Sequence, residues 1–125
     1  KPFLGICVGM QILLEKSEEG LKQGIGLIKG EVKKFNSDLN IRIPHMGWNY
    51  VKIKKNNDII NLNNQTFYFV HSYYPKVHEK NILATTTYGE EFPSIIGEKN
   101  IFGVQFHPEK SQKFGKELLK KFNDI

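Results

Sequence analysis

A strand-to-helix turn built around one cysteine constrains the fold of this chain more than any other feature. Residues 5–11 have the sequence GICVGMQ, in which Cys7 lies between two glycines. The apolar run over residues 2–7 predicts a buried strand. From Gly9 onward apolar residues recur at helical spacing, and we expect this helix to end near residues 17–20. A strand, a tight turn and a helix in this order predict a nucleophile elbow.

The setting of Cys7 indicates a reactive thiol, although a lone cysteine is also a common core residue. Gly5 and Gly9 carry no Cβ, so the backbone can bend sharply and hold a strained residue at the apex of the turn. The positive end of the following helix favours the thiolate over the thiol. The backbone N–H of Val8 is then placed to stabilise an oxyanion.

A histidine and a carboxylate close together near the C-terminus suit the same chemistry. His107 and Glu109 flank Pro108 at the end of an apolar strand. Residues two apart in an extended chain face the same side, so the carboxylate can orient the imidazole. The imidazole can then act as a base toward a nucleophile and as an acid toward a leaving amine. Cys7, His107 and Glu109 form a candidate triad, against the alternative of a structural histidine and a solvated carboxylate.

The remaining pattern predicts a strand-rich middle between two helices. We expect short strands within residues 24–35, a loop at 44–47 with a strand at 50–53, an Asn-rich turn at 56–65, strands at 66–75 (ended by Pro75) and 82–89, a hairpin over 94–106 that turns at 98–100, and a helix over 111–122 capped by Ser111. No repeat or linker interrupts this order. The prediction is an α/β fold with an antiparallel portion, as one domain over residues 1–125.

Charge and composition argue against several classes of partner. The net charge is +5, but the basic residues are lysines except for Arg42, and they are spread along the chain. Nucleic-acid readers concentrate arginine and lysine on one face, so we expect a lysine-rich surface and no nucleic acid. No apolar run is long enough to span a membrane. A single cysteine excludes an internal disulfide and favours the cytoplasm.

The histidines give no sign of a metal site. Cys7, His45, His71, His78 and His107 lack the close pairs that zinc sites use. We therefore expect neither a metal nor another cofactor.

Several motifs together resemble a known family. GICVGMQ at 5–11 with FHPE at 106–109 resembles the class I (triad-type) glutamine amidotransferases. SEEG at 17–20, IPHMGWN at 43–49 and YFVHSYY at 68–74 are similar, more narrowly, to the glutaminase subunits of imidazole glycerol phosphate synthases. The resemblance covers nearly the whole chain. It implies a flavodoxin-like central sheet with helices and an antiparallel strand portion.

The resemblance assigns chemical roles to the triad. Cys7 would attack the side-chain carboxamide of glutamine, form a γ-glutamyl thioester and release ammonia. His107 would shuttle the proton, Glu109 would orient His107, and the Val8 N–H would supply one oxyanion donor.

Five further residues match family positions at the glutamine site. Gln11 and Glu19 would line it, and the charge of Glu19 suits the α-ammonium group of the substrate. His71, Ser72 and Tyr73 would hold the α-carboxylate and backbone of glutamine. Aromatic packing remains an equal explanation for Tyr73.

A partner is also implied. Met46, Trp48, Asn49 and Lys110 would face a cyclase subunit with a β/α-barrel, in a heterodimer whose cyclase consumes the ammonia. From the residues alone, Trp48 suits a core position and an interface anchor equally. Free ammonia would be protonated in water, which favours direct transfer between the two sites.

Family members carry additional strands and a glycine-rich oxyanion loop ahead of the elbow strand. This chain begins at that strand, so we expect the N-terminal strands to be missing, a sheet edge to be exposed and the chain alone to have little glutaminase activity. Three alternatives stay open. They are a glutaminase serving a sugar amidotransferase, a stand-alone γ-glutamyl cysteine hydrolase, and a non-catalytic module in which Cys7 is buried.

Overall fold

A computed structural model describes residues 1–18, 23–36, 38, 40–61, 63 and 65–125. Within these residues, strands, two α-helices and short 3-10 turns follow one another along the chain. The strands are β1 (Phe3–Ile6), β2 (Lys16–Ser17), β3 (Gly30–Lys34), β4 (His45–Ile53), β5 (Gln65–His71), β6 (Tyr73–Val77), β7 (Ile82–Tyr88), β8 (Glu90–Glu98) and β9 (Ile101–Val104). The helices are α1 (Val8–Gln11) and α2 (Gln112–Asn123), and the 3-10 turns are Glu79–Asn81 and Pro108–Lys110. The predicted α/β class is confirmed.

The strands form two sheets. The larger has the order β1-β9-β8-β7-β4-β5, and the smaller has the order β2-β3-β6. In the larger sheet β1 and β9 are parallel, and every other pair is antiparallel. The sheet curls, because carbonyls of its last strand, β5, reach residues that follow its first two strands. The expected antiparallel portion is therefore most of this sheet.

Two apolar clusters hold the elements together. Aromatic side chains dominate the larger cluster, whose fully buried members include Phe67, Phe69, Phe92 and Phe106. The smaller cluster packs α1 against the three-stranded sheet and consists of Met10, Leu13, Leu14, Ile28, Val32 and Ile96. The apolar residues predicted for the first helix are thus in a core, although the helix itself is shorter than predicted.

The first helix ends after one turn, which corrects the prediction of a helix to residues 17–20. The carbonyls of residues 12–15 accept from amides of a later segment. Ile12 O accepts from Ile25 N (2.7 Å), Leu13 O from Ile28 N (3.1 Å) and Glu15 O from Gly24 N (3.1 Å). Amides of a distant segment donate to the carbonyls that would have continued the helix. The spacing of apolar residues near the helix does not indicate these long-range hydrogen bonds.

Two strand predictions in the middle of the chain were also wrong. The expected loop at 44–47 is the first part of β4, which pairs with β5 from His45 onward. The expected single strand at 66–75 is divided at Ser72 into β5 and β6, which belong to different sheets. Pro75 does not end a strand but lies within β6, an edge strand of the smaller sheet, which is where sheets tolerate proline.

The strand at the N-terminus, the strand at 82–88, the hairpin with its turn near Lys99 and the C-terminal helix are confirmed. Within the described residues, neither helix is long and apolar enough to cross a membrane.

Candidate active site

Cys7 occupies the sharp turn between β1 and α1. Its backbone has φ 54° and ψ −108°, in a region that non-glycine residues rarely adopt. Its N–H donates to Val104 O (2.8 Å), and its own carbonyl accepts from Met10 N (3.0 Å) and Gln11 N (3.1 Å). The strained apex matches the elbow prediction. The helix does not match it, because α1 is one turn long and two of its first amides serve the Cys7 carbonyl and not the thiol.

The two glycines that flank Cys7 are not equivalent. A Cβ on Gly5 would lie 2.4 Å from Gly9 O and 2.9 Å from Met10 N, so only glycine fits there. A Cβ on Gly9 would meet no atom within 4 Å. The close approach of β1 to the start of α1 therefore depends on Gly5 alone, which corrects the expectation that both glycines are required.

Parallel pairing brings the two halves of the candidate triad to one edge of the sheet. Ile6 lies opposite Val104 in the β1–β9 pair, so Cys7 and the segment after Val104 leave the sheet at the same end. The carboxyl ends of parallel strands are where α/β proteins usually bind ligands. Strand β5 closes the site from the other side, since Val70 O lies 3.9 Å from Cys7 Sγ and Tyr68 O accepts from His107 N (2.9 Å).

His107 and Glu109 form a hydrogen-bonded pair. The distance between His107 Nδ1 and Glu109 Oε2 is 2.8 Å. The backbone between them is not extended, because Pro108–Lys110 forms a 3-10 turn that folds the carboxylate back onto the ring. Ser111 holds this turn: its Oγ donates to His107 O (2.6 Å) and accepts from Tyr68 N (2.9 Å). Ser111 makes no side-chain cap on α2, so its predicted capping role is replaced by this clamp.

A buried pair of amides lies against the thiol. Gln105 is 0% exposed, and its Nε2 donates to Cys7 Sγ at 3.7 Å. Gln11, also buried, donates from its Nε2 to Gln105 Oε1 at 3.4 Å. Sequence reasoning did not select Gln105. The available signal was a polar residue at the end of an apolar strand, two positions before His107.

Two buried histidines, His45 and His71, form a hydrogen-bonded pair next to the site. His45 and His71 face each other across β4 and β5, with 2.9 Å between His45 Nδ1 and His71 Nε2. The other nitrogen of His71 donates to Tyr73 O (2.7 Å), and Asn49 Nδ2 lies 3.2 Å from His45 Nε2. Both nitrogens of His71 are thus used inside the protein, which differs from the expected contact with the substrate.

The histidine pair is held neutral. Burial lowers the pKa of His45 from 6.5 to about 4. Burial also lowers the pKa of His71 to about 3, with His45 and His107 acting in the same direction and the Tyr73 carbonyl opposing them. The two rings lie among Phe35, Phe69, Tyr88 and Phe92, an environment that does not solvate an added charge.

Acid should therefore destabilise the intact protein. An unfolded histidine has a pKa near 6.5, so between about pH 7 and pH 5 the unfolded chain binds more protons than the folded chain. The stabilisation is complete above the unfolded pKa and is lost as the pH falls toward the folded values. We expect the free energy of unfolding to fall by about 2 to 3 kcal/mol over this range, measured by urea denaturation.

The matched control is His78, an exposed histidine that caps the 3-10 turn before β7. His78→Gln should leave the pH dependence unchanged, whereas His45→Gln should flatten it. An equal free energy of unfolding at pH 7 and pH 5 in the unaltered protein would contradict the assignment.

The structure gives fewer contacts for the other residues that were expected at the substrate site. Ser72 lies at the bend between β5 and β6, and Phe35 N donates to its carbonyl (3.1 Å). Tyr73 is partly buried and packs against the smaller apolar cluster, in agreement with aromatic packing as its role. Glu19 lies outside the described residues.

One face of β4 exposes three large side chains. Met46 is 60% exposed, Trp48 49% and Tyr50 62%, and Trp48 contacts Tyr68 edge-on at 5.8 Å. Trp48 is therefore a surface residue and not a core residue. Asn49 projects from the opposite face, where its Nδ2 donates to Thr87 O (3.0 Å), which differs from its expected place beside Trp48. Lys110 is exposed on the 3-10 turn that carries Glu109.

Residues 1–124 match the model of the family described as glutamine amidotransferase class-I. The imidazole glycerol phosphate synthase subunit HisH 2 of Methanococcus maripaludis is 51% identical over 124 residues, which cover 97% of this chain and 61% of the relative. The HisH subunit of Methanocaldococcus jannaschii is 52% identical over 128 residues, which cover 99% of this chain and 64% of the relative.

The fold is likewise shared with a solved structure. A crystal structure described as a glutamine amidotransferase superposes with a TM-score of 0.67 at 16% identity, over 98% of this chain and 61% of the other. This chain thus spans less than two thirds of the length of the relatives it matches.

Proposed function

The chain belongs to the class-I glutamine amidotransferase family, and on that premise we propose that it hydrolyses glutamine as the glutaminase subunit of an imidazole glycerol phosphate synthase, in histidine biosynthesis. One observation carries the proposal: a cysteine on a strained elbow shares a sheet edge with a histidine that is hydrogen-bonded to a carboxylate. The names of the similar HisH subunits support the choice of synthase.

The first half of the reaction forms a thioester. His107 takes the proton of Cys7 Sγ, and the thiolate attacks the side-chain carbonyl carbon of glutamine. The resulting oxyanion is stabilised by the Val8 N–H, next to the elbow cysteine. When the intermediate collapses, the carbon–nitrogen bond breaks, the imidazolium gives its proton to the leaving nitrogen and ammonia departs. Glu109, 2.8 Å from His107 Nδ1, stabilises the imidazolium between these two transfers.

The second half returns the enzyme to its starting state. His107, now neutral, takes a proton from water, and the hydroxide attacks the thioester carbonyl. The carbon–sulfur bond breaks, Cys7 regains a proton from His107 and glutamate leaves. No cofactor or metal is required by these steps, because thiol and imidazole supply the nucleophile and the proton transfers.

Substrate selection is proposed to fall to polar groups around the elbow. Ser72 and Tyr73 follow the end of β5, two and three residues after Val70, whose carbonyl lies 3.9 Å from Cys7 Sγ. Gln11 approaches from α1. Glu19 has the charge to bind the α-ammonium group of glutamine.

The partner is proposed to be a cyclase subunit with a β/α-barrel, bound as a heterodimer that works as a lyase in the cytoplasm. The exposed face of Met46, Trp48 and Tyr50 supports this, since Trp, Tyr and Met are enriched at interface cores. Residues 1–125 would act as one domain within this assembly, with Lys110 near its rim.

The decisive experiment is affinity labelling of the native gene product by a diazoketone analogue of glutamine. We expect one adduct per chain, mapped to Cys7 by peptide mass spectrometry, and protection by excess glutamine. The matched control is the asparagine analogue, one methylene shorter, which should label at least about 10-fold more slowly because it cannot place its carbonyl carbon at the thiol. Equal labelling by both analogues, or an adduct at another residue, would contradict the proposal.

Ammonia release then separates the alternatives that the sequence leaves open. With a coupled synthase, turnover should rise when the cyclase subunit is added and stay low without it. Full turnover without any partner would favour a stand-alone hydrolase. Stimulation by a sugar amidotransferase, and not by the cyclase, would change the partner while keeping the chemistry.

A further inference from the structure

The geometry assigns a catalytic role to Gln105: we propose that its side-chain amide stabilises the Cys7 thiolate by donating a hydrogen bond to Sγ. The inference rests on the proposed function in taking Cys7 as the nucleophile. It goes beyond the triad, because it concerns what makes the thiol ionise before any substrate is bound.

Two contacts of the thiol bear on whether it ionises. Val70 O lies 3.9 Å from Cys7 Sγ and can accept the S–H proton, which favours the neutral thiol. Gln105 Nε2 lies 3.7 Å from Sγ and donates to it. After ionisation the sulfur can only accept, so the contact with Val70 becomes unfavourable and the contact with Gln105 strengthens. Without the amide, this part of the environment would favour the thiol.

A hydrogen bond from Gln11 fixes the orientation of the Gln105 side-chain amide. Gln11 Nε2 donates to Gln105 Oε1 at 3.4 Å, so the oxygen of Gln105 is turned toward Gln11 and the nitrogen toward the sulfur. The Gln105 backbone N–H donates to Ser94 O (2.9 Å), and the side chain has no exposed surface. A reversed amide would face the thiolate with oxygen and leave two Nε2 groups opposed, both of which are costly in a buried site.

Burial of a glutamine side chain is unfavourable unless its polar atoms are hydrogen-bonded. In this chain both polar ends of Gln105 are paired, one with Gln11 and one with the reacting sulfur. The position just before FHPE therefore combines a structural constraint with a chemical one.

The test is the pH dependence of Cys7 alkylation by iodoacetamide in the intact protein, without glutamine. Only the thiolate reacts, so the rate follows the ionised fraction. At pH 7 we expect Gln105→Leu to react about 10-fold more slowly than the unaltered protein, and Gln105→Glu about 100-fold more slowly because a carboxylate opposes the thiolate. At high pH, where the thiol is fully ionised, all three rates should converge within about 2-fold.

Convergence separates this role from a structural one. A variant that merely disturbed the site would lower the rate at every pH by the same factor, and that result would overturn the proposal, as would unchanged curves. Gln11→Leu provides a second variant that leaves Gln105 in place but frees its amide to rotate, and we expect about a 3-fold loss at pH 7. If a Gln105 variant fails to fold, Gln11→Leu alone must show the shift, and its absence would refute the assignment.

The matched control is Gln65, another buried glutamine, at the start of β5 and five residues from Val70. Gln65→Leu and Gln65→Glu make the same chemical changes away from Cys7 and should leave the alkylation curve in place. Because the assay contains no glutamine, a protein that fails to hydrolyse glutamine can still pass it, and the two proposals can fail separately.

Discussion

Cys7→Ser is expected to reduce ammonia release from glutamine by about 10,000-fold or more in the native gene product, assayed with the proposed cyclase partner. A serine hydroxyl ionises far less readily than a thiol. Its oxygen is also smaller and its bond to Cβ shorter, so it does not take over the contacts of Sγ with Val70 and Gln105. Ammonia can be measured by a coupled glutamate dehydrogenase assay, with circular dichroism to show that the variant is folded.

The triad should behave as one unit. His107→Asn is expected to cause a loss of similar size, and the double variant Cys7→Ser/His107→Asn should be little worse than either single variant. The matched control is His78→Asn, which makes the same change on an exposed 3-10 turn and should stay within about 2-fold of the unaltered rate. Full activity of Cys7→Ser, or losses that multiply in the double variant, would contradict a covalent mechanism through these residues.

Gly5→Ala is expected to destabilise the protein by about 3 kcal/mol and to abolish labelling of Cys7, although only one methyl group is added. The added Cβ would stand 2.4 Å from Gly9 O and 2.7 Å from Gly9 C, which are backbone atoms that cannot move aside without opening the elbow. The parallel pairing of β1 with β9 fixes the strand from the other side, so the strain cannot be relieved by shifting β1. Urea denaturation gives the free energy of unfolding.

Gly9→Ala is the control, four residues away in the same turn. Its Cβ would enter open space, and alanine favours helix over glycine, so we expect a change between neutral and about 1 kcal/mol of stabilisation. Equal costs at Gly5 and Gly9 would show that the elbow is not held by the close approach of Gly5 to the Gly9 carbonyl.

Elements that depend on local sequence were predictable. Each of these elements has an apolar pattern that contacts with distant residues do not override: β1, β7, the β8–β9 hairpin and α2. The failures share a cause, which is a partner far away in sequence. The first helix stops because amides of residues 24–28 occupy its carbonyls, and β4 begins early because β5 lies beside it.

The candidate site shows the same division. Cys7, His107 and Glu109 could be selected because their chemistry is marked by short motifs at turns. The local sequence does not identify Gln105 as a site residue, because its contact with Cys7 exists only because β1 and β9 are parallel and end together. Asn49 was assigned to the surface face of Trp48, but strand alternation places it on the inner face.

The hydrogen bonds of the buried histidine pair determine which nitrogen of each ring carries the hydrogen. The Tyr73 carbonyl can only accept, so His71 carries its hydrogen on Nδ1 and offers a lone pair at Nε2. His45 must then carry its hydrogen on Nδ1, and its Nε2 accepts from the Asn49 amide, whose oxygen is occupied by Tyr50 N. Each ring is confined to a single tautomer, and the whole row of donors points one way.

Such a row cannot work as a proton wire. Passing a proton along it would require both rings to exchange tautomers, which would turn a lone pair of His71 toward the Tyr73 carbonyl and a hydrogen of His45 toward the Asn49 amide hydrogens. His107 is under no such restriction, because the Glu109 carboxylate accepts from its Nδ1 whether or not the ring is charged. His45 and His71 are thus each held in one tautomer, which supports the proposal that His107 performs the acid–base work beside Cys7.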